Sequence, residues 1–315
     1  MAMEFIPLQI ATIIPDKKIT FDLYIHFKGQ YLAYAEAGAS LPPAKLAKLS
    51  LQQIARFYLS REHEANYQCF LEDILNEALQ STTTAVETKV QLTEGAAATG
   101  IEAMQSENAT PAAYKITQKA AKSLREVIEQ NPNALKKIYG KHSDAMTDVI
   151  RHSLNVCALT TKLGRKMGLE NSLLDDLGTA ALLHDMGLTK LPQQDKGLFL
   201  KSKKLFTLDD HRIYKIHVTD VAPMLTNRPY VTVDIIELIR HHDENQAGTG
   251  PLRAKKLTPS ECILSLCNNY DKRILTQRIP ARKAIKELQI EEMGNYDLKL
   301  LQAFTSVLQE EGLLE

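Results

Sequence analysis

The sequence predicts a small α+β module followed by an all-α domain. Runs of β-branched and aromatic residues are confined to the first 35 positions, and helical periodicity dominates from Tyr114 to the end. Between them lies a segment poor in large apolar side chains. We place the module at 1–80, a helical or flexible linker at 81–120, and the helical domain at 121–315.

Composition argues against two classes of partner. The formal net charge is zero and the pI is about 7.1, so no general attraction to a nucleic-acid polymer or a membrane surface is expected. No apolar run approaches the roughly 18 residues that cross a bilayer. The N-terminus has no basic region followed by an apolar stretch, and the four cysteines have no CxxC spacing. We therefore expect a cytoplasmic protein with free thiols.

Three strands are predicted in the N-terminal module, at Phe5 to Ile14, Ile19 to Phe27 and Tyr31 to Ala35. From residue 42 the apolar spacing fits helices, and this helical set includes Ile54, Phe57 and Tyr58. The module concentrates no His, Cys or carboxylate residues, so we predict a regulatory, dimerising or partner-binding role, with a homodimer as one expected assembly. The stretch from Gly95 to Gly100 is typical of a linker or a loose helical connection.

The central motif of the second domain is an apolar run that ends in His184-Asp185 and is followed by Gly187. A packed segment that delivers an imidazole and a carboxylate together suggests a metal site. The dipeptide alone is weak evidence, because adjacent His and Asp are common by chance. The interpretation depends on ligand-type residues at core-facing positions of the neighbouring helices.

Two further histidines occupy such positions. His152 lies three residues after Val149 and four before Val156, so it shares their apolar stripe. His217 lies four residues after Ile213 and four before Val221, on a helix that we expect to begin near residue 207. Either one alone would be read as a hydrogen-bonded core histidine.

The last two helices of the set add His241-His242 at a helix end and Asn268 with Asp271 on one face of the next helix. Five of the nine histidines thus lie at inward-facing or helix-terminal positions, and burying five imidazoles without a shared purpose would be costly. His, Asp and Asn ligands without thiolates suit iron, manganese or zinc with open positions. Because the ligands are too many for one catalytic ion, we predict two ions bridged by Asp185.

The order His152, His184-Asp185, His217, His241-His242 and Asn268 resembles the HD-GYP family of HD phosphohydrolases. The resemblance covers roughly residues 120–315, and the His-His pair followed by Gly248 to Pro251 is its most specific part. It implies an all-α HD-type domain with a metal centre, whose usual activity is hydrolysis of the bacterial second messenger cyclic di-GMP.

Several positions differ from the family motif. Leu188 stands where a lysine is expected, and Pro251 follows Gly250 directly, without the signature tyrosine. Asn268 aligns with the last metal aspartate, which leaves Asp271 as the alternative ligand. Asp148 replaces the glutamate that can hold a third ion, so a binuclear site is favoured, with iron as the preferred metal.

The resemblance also implies a division of roles. One ion is assigned to His152, His184 and Asp185, completed by Asn268 or Asp271. The other is assigned to Asp185, His217, His241 and His242. Asp185 and Lys201 are the candidate catalytic residues, and Lys190, Lys201 and Arg278 are candidate phosphate contacts.

Two hypotheses of function follow. The first is a phosphodiesterase that cleaves cyclic di-GMP or its linear dinucleotide with a hydroxide activated by two metal ions. The alternative is a degenerate family member that keeps its metals and acts as a nucleotide-binding or protein-interaction module. GGDEF-type signalling domains are then the expected protein partners, bound through the 243–253 loop.

Overall fold

A computed structural model describes residues 4–52, 54–131, 134–139 and 146–314. The chain forms two compact units, which divide between Gln130 and Asn131. The first contains a four-stranded sheet and four helices, and the second is helical, so the predicted fold class is confirmed. No helix among the described residues is both long and apolar enough to span a membrane. All four cysteines are free, and Cys69 is exposed.

The sheet of the first unit is antiparallel, with the order β1-β4-β2-β3. Its strands are β1 (Phe5–Gln9), β2 (Leu23–Phe27), β3 (Gln30–Ala35) and β4 (Arg56–Ser60). The helices of this unit are α1 (Pro43–Leu51), α2 (Glu64–Gln80), α3 (Val86–Met104) and α4 (Pro111–Gln130).

Strand β4 corrects the sequence prediction, which had assigned Phe57 and Tyr58 to helices. The spacing of Ile54, Phe57 and Tyr58 is compatible with a helix, but burial from residue 56 onward alternates as in a strand. Pairing with β1, where Phe57 lies opposite Leu8, then places Phe57 in the core. Tertiary pairing therefore overrides an ambiguous local pattern.

The predicted linker also differs from what is observed. Residues 86–104 form α3, which packs on α4 and on β1, and α4 continues through residue 130 within the same unit. A Cβ on Gly100 would lie 2.6 Å from Thr117 Oγ1 on α4, and Thr99 Oγ1 accepts a hydrogen bond of 3.1 Å from the Gln9 amide. The small residues that indicated a loose connection instead allow two helices to approach closely.

A Gly100→Ala substitution is therefore expected to destabilise the first unit. The new methyl would meet the Thr117 backbone at 3.1 Å as well as its hydroxyl, so the free energy of unfolding should fall by about 1–3 kcal/mol. Thermal and urea unfolding measure the change. Gly95→Ala is the matched comparison, because its nearest neighbours, Thr12 Cγ2 at 3.2 Å and Ala11 Cβ at 3.3 Å, are side-chain atoms at longer distances. Equal losses in the two variants would contradict the close α3–α4 contact.

The second unit contains ten helices within the described residues. They are α5 (Ala134–Ile138), α6 (Asp148–Lys166), α7 (Asn171–Leu183), α8 (Leu208–Tyr214), α9 (Ile216–Thr219), α10 (Val221–Thr226), α11 (Val233–Arg240), α12 (Pro259–Gln277), α13 (Ala281–Glu291) and α14 (Leu298–Glu310). Capping boxes at Thr207 and Thr258 start α8 and α12, as the sequence predicted. The single helix expected around His217 is instead divided into α8, α9 and α10.

Candidate metal centre

The His184-Asp185 pair sits where α7 ends. The last turns of α7 are fully buried, His184 is its C-terminal capping residue, and Asp185 follows. A Cβ on Gly187 would overlap the backbone carbonyl of His217. The small-residue break after the pair therefore lets this segment pass directly against α9, which carries His217.

Two groups of ligand-type atoms meet at Asp185. One comprises His152, His184 and Asp185, the other Asp185, His217 and His242, and the ligand atoms within each group lie within 4.8 Å of one another. Asp185 Oδ2 is 3.6 Å from His152 Nε2 and 3.4 Å from His184 Nε2. Its other oxygen, Oδ1, is 3.7 Å from His217 Nε2 and 3.8 Å from His242 Nε2. Each carboxylate oxygen thus faces a different pair of imidazoles.

Local backbone contacts fix the tautomers of three rings. His184 Nδ1 is 2.7 Å from the Ala181 carbonyl and His242 Nδ1 is 2.6 Å from the Ile239 carbonyl. His217 Nδ1 makes the same contact with the Tyr214 carbonyl, three residues before it. A carbonyl oxygen can only accept, so each Nδ1 must carry the proton, and in the neutral ring Nε2 is then a lone pair.

His152 is oriented by a carboxylate instead. Its Nδ1 is 2.6 Å from Asp271 Oδ2, and Asp271 also accepts hydrogen bonds from Tyr139 Oη and Asn155 Nδ2. His152 Nε2 therefore faces the centre as a lone pair, 2.9 Å from Asn268 Oδ1. Of the two alternatives for the last ligand, the structure places Asn268 at the centre and Asp271 behind His152, where it fixes the ring.

The amide of Asn268 is held in one orientation. Its Nδ2 donates to the His242 carbonyl at 3.2 Å and to Asp243 Oδ1 at 3.0 Å. These oxygens cannot donate, so the carbonyl oxygen of the amide must be the atom that points at His152. Asn268 can therefore offer an oxygen ligand without a charge.

Burial keeps most of these imidazoles neutral. It lowers the pKa of His152 and of His217, and it lowers the pKa of His242 to about 3. For His184 burial opposes protonation, but the adjacent Asp185 carboxylate outweighs it and raises the pKa. Burial would likewise raise the pKa of Asp185, yet the Lys272 ammonium and the imidazoles hold it well below its usual range.

The donor set fits divalent metal ions. His184 Nε2 and His152 Nε2 lie 3.1 Å apart, and His217 Nε2 and His242 Nε2 lie 3.2 Å apart. When all four rings are neutral and carry their proton on Nδ1, each pair brings two lone pairs together, and Asp185 Oδ2 has no hydrogen-bond partner among the described residues. A cation beside each pair would accept the opposed nitrogen lone pairs and would also give the Asp185 carboxylate a partner. Imidazole nitrogen with carboxylate and amide oxygen suits iron, manganese or zinc.

The structure does not bring His241 into either group. Its Nδ1 is 2.6 Å from Glu261 Oε1, and this hydrogen bond raises the pKa of the half-buried ring. Glu261 is the capping-box residue of α12, so His241 ties the end of α11 to the start of α12. Helical spacing predicted that both members of the His-His pair face the core. Because α11 ends at Arg240, the chain turns there and the two side chains point to different partners.

Asp148, the candidate ligand of a third ion, pairs with Arg151 at 2.6 Å on a partly exposed face.

A cavity of about 660 Å³ opens beside the centre. His217, Asp243, Asn268 and Lys272 are among the residues that line it, and the 243–253 loop contributes to its wall. The cations that line it are Lys203, Lys204, Lys215, Arg253, Lys272 and Arg273. This size is ordinary for a site that binds a small molecule.

The three basic residues that the sequence offered as phosphate contacts do not line this cavity. Lys201 Nζ is bound to Asp210 Oδ2 at 2.7 Å, Lys190 is exposed, and Arg278 is the exposed capping residue that ends α12. Lys190 and Lys201 lie at the ends of short 3₁₀ segments between α7 and α8, which leave Lys190 in solvent and direct Lys201 to Asp210. Arg278 lies elsewhere, at the end of α12.

The sequence analysis gave no site role to two charged residues of the centre, of which Asp243 stands where the family motif has a glutamate after the His-His pair. The side chain of Asp243 is only 8% exposed, lies 3.6 Å from His217 Nε2, and accepts a 2.7 Å hydrogen bond from Lys203. Lys272 places its ammonium 3.7 Å from Asp185 Oδ2, and burial lowers its pKa to about 8. The available signal was that Asp243 follows His242 directly and that Lys272 lies four residues after Asn268, on the same helix face.

The sequence and the fold are similar to those of known proteins. A family model described as "HD domain" matches residues 107–300. Over 191 residues the chain is 29% identical to a cyclic di-GMP phosphodiesterase of Pseudomonas aeruginosa, a match that covers 58% of this chain and 44% of the relative. The chain thus spans less than half the length of that relative.

A solved structure shares the fold. It is described as an HDG"Y"P protein from Bdellovibrio bacteriovorus, with a TM-score of 0.74 and 23% sequence identity. The superposition covers 97% of this chain and all of the other. At this identity the likeness concerns the architecture.

Proposed function

Because the chain belongs to the HD domain family and, within it, to the HD-GYP group, we propose that it is a metal-dependent phosphodiesterase. The proposed substrates are cyclic di-GMP and its linear dinucleotide. One observation carries the proposal: two pairs of opposed Nε2 lone pairs share the single carboxylate of Asp185. That arrangement suits two divalent ions, with iron favoured and manganese or zinc as alternatives.

The ligand residues would be divided between two ions. His152, His184 and Asn268 would hold one ion, His217 and His242 the other, with Asp185 between them. When bound, such ions polarise phosphate oxygens and lower the pKa of a water. Asp271 and the backbone carbonyls keep the imidazoles aimed at the centre, so little reorganisation is needed during the reaction.

The cavity supports a dinucleotide substrate. Several of its cations are near the centre, and an anionic substrate entering between them would be attracted and oriented. The side chains of Phe206 and His211 on the wall offer flat faces on which a base can stack. No base-specific contact is required for this part of the proposal.

A turnover assay tests the function. Protein purified without chelators and loaded with iron or manganese is expected to convert cyclic di-GMP to the linear dinucleotide, whereas His184→Ala should form no product. Bis(p-nitrophenyl) phosphate, assayed in parallel, separates loss of chemistry from a mismatch with the dinucleotide. Absence of linear product with either metal would contradict the proposed substrate.

The competing hypothesis is a degenerate member that binds a nucleotide without cleaving it. It is favoured by Asn268, which brings a neutral oxygen where the family motif has a carboxylate, and so holds an ion less strongly. Nucleotide binding by the metal-loaded protein, measured by calorimetry, with no turnover of either phosphodiester would support this hypothesis. Metal-dependent turnover would exclude it.

Chelation is expected to destabilise the second unit. An ion that binds the folded state alone, at a concentration one hundred times its dissociation constant, contributes about 2.7 kcal/mol of stability. Adding excess EDTA should therefore lower the melting temperature of the wild type, and added manganese should restore it. In Asp185→Asn the same treatment should change the melting temperature little. An equal shift in that variant would place the bound ions elsewhere.

A further inference from the structure

The ammonium of Lys272 has an unusual position beside the metal centre. Nζ is buried, lies 3.7 Å from Asp185 Oδ2, and is 3.1 Å from the centroid of the Phe199 ring. Among the residues that the structure describes, it has no hydrogen-bond partner. An ammonium has three N–H donors, and leaving them unsatisfied in a buried position is costly. The position therefore suits an anionic acceptor that comes from outside the protein.

Other cations of the same cavity differ in this respect. Lys203 is bonded to Asp243, and Arg273 is bonded to both Glu291 and Glu292. Their charges are balanced within the protein. Lys272 is attracted by Asp185 at 3.7 Å and by the face of the Phe199 ring, but among the described residues its Nζ has no hydrogen-bond acceptor.

Helix α12 places this ammonium beside the candidate metal centre. Lys272 follows Asn268 by four residues, so the two side chains share one face of the helix, and both line the cavity. Asn268 Oδ1 and Asp185 Oδ2 both face His152. Lys272 thus borders the group formed by His152, His184 and Asp185 on its cavity side.

Phe199 connects Lys272 with the substitution at position 188. Leu188, which stands where the family motif has a lysine, is buried in an apolar cluster with Leu198, Phe199 and Tyr214. The ammonium of Lys272 lies over the ring of that same Phe199. A cation therefore reaches this region from α12, whereas the segment after His184-Asp185 contributes an apolar side chain.

We propose that Lys272 is a phosphate-binding residue of the centre, which donates hydrogen bonds to a non-bridging oxygen of the substrate phosphate. It supplies from α12 the positive charge that Leu188 does not. The inference rests on the proposed function for its substrate class, but the contact itself is with any phosphate that enters the cavity.

Binding of inorganic phosphate to manganese-loaded protein tests the contact. Lys272→Met keeps an unbranched apolar stem and removes the charge, and it is expected to weaken phosphate binding by about tenfold or more, the effect of one charge-assisted hydrogen bond. Lys272→Arg should retain binding to within about threefold, since it restores a donor of the same charge. Lys299→Met, which removes an exposed lysine of α14 that does not line the cavity, is the matched control and should bind as the wild type does.

Metal content and folding are measured on the same samples. All four proteins should hold the same manganese per chain and unfold cooperatively, and Lys272→Gln provides a second neutral variant if the methionine variant aggregates. Wild-type affinity in the neutral variants would overturn the proposal, as would absence of phosphate binding in the wild type. An increase of manganese affinity without a change in phosphate affinity would also overturn it, because Lys272 would then act on the ions.

The phosphate measurement needs no turnover, so the two proposals fail separately. If the wild type cleaves no phosphodiester but loses phosphate affinity on substitution of Lys272, the proposed activity is wrong and the contact stands. If it cleaves cyclic di-GMP while the neutral variants bind phosphate and keep KM unchanged, the activity stands and the contact is wrong.

Discussion

Replacing Asp185 with asparagine is expected to remove both metal ions and to lower phosphodiesterase activity by about a thousandfold, or about 4 kcal/mol of activation free energy. Asp185 is the member common to both ligand groups, with one oxygen facing each pair of imidazoles. Asparagine keeps the shape but offers one neutral oxygen, so neither ion keeps a charged ligand from this residue. Metal analysis after dialysis and a turnover assay measure the two losses.

The matched control is Asp209→Asn. Asp209 is an exposed carboxylate on α8, about 3.3 Å from Arg212, and its loss should change neither metal content nor rate. If Asp185→Asn retained two ions per chain while Asp209→Asn behaved as the wild type, Asp185 would not be the shared ligand. Retention of one ion would show that the two groups bind independently.

Gly187→Ala is expected to have the second largest effect, although Gly187 offers no ligand atom. An added Cβ would overlap the carbonyl oxygen of His217, a backbone atom that cannot rotate away. The segment after Asp185 and α9 must then separate, with a loss of about 3 kcal/mol of stability. Because Asp185 and His217 lie on the two sides of this contact, metal binding should fall together with the melting temperature.

Gly197→Ala is the comparison for this substitution. It lies in the 3₁₀ segment 193–200, and an added Cβ there would have no atom within 4 Å. It should therefore melt and bind metal as the wild type does. A Gly187→Ala protein that kept both its melting temperature and its ions would contradict the close passage of the segment against α9.

The fold and much of the centre could be predicted because the relevant signals are local. His152 and His217 were found from apolar stripes, and the structure buries both. The end of α7 at Leu183 and the caps at Thr207 and Thr258 were likewise visible in the order of residues. Each of these features depends on neighbours within about one or two helical turns.

What could not be predicted depends on contacts between distant segments. Strand β4 is defined by its pairing with β1, and the close packing at Gly100 is defined by Thr117. His241 is held by Glu261, twenty residues later, so periodicity could not distinguish it from His242. In the sequence Lys272 cannot be distinguished from an ordinary exposed lysine. Only the structure shows that its ammonium is buried near Asp185.

The hydrogen bonds from His184, His217 and His242 to carbonyls three residues earlier have a consequence for the timing of assembly. Each ring is tied to the end of the helix that precedes it, which is α7 for His184, α8 for His217 and α11 for His242, so its direction is established when that helix forms. The conformational entropy of these three side chains is therefore lost during folding. Loading with zinc, the diamagnetic ion of the three, should accordingly be fast and should leave each Nδ1 proton on its ring, while ¹⁵N shifts at Nε2 report the arrival of each ion.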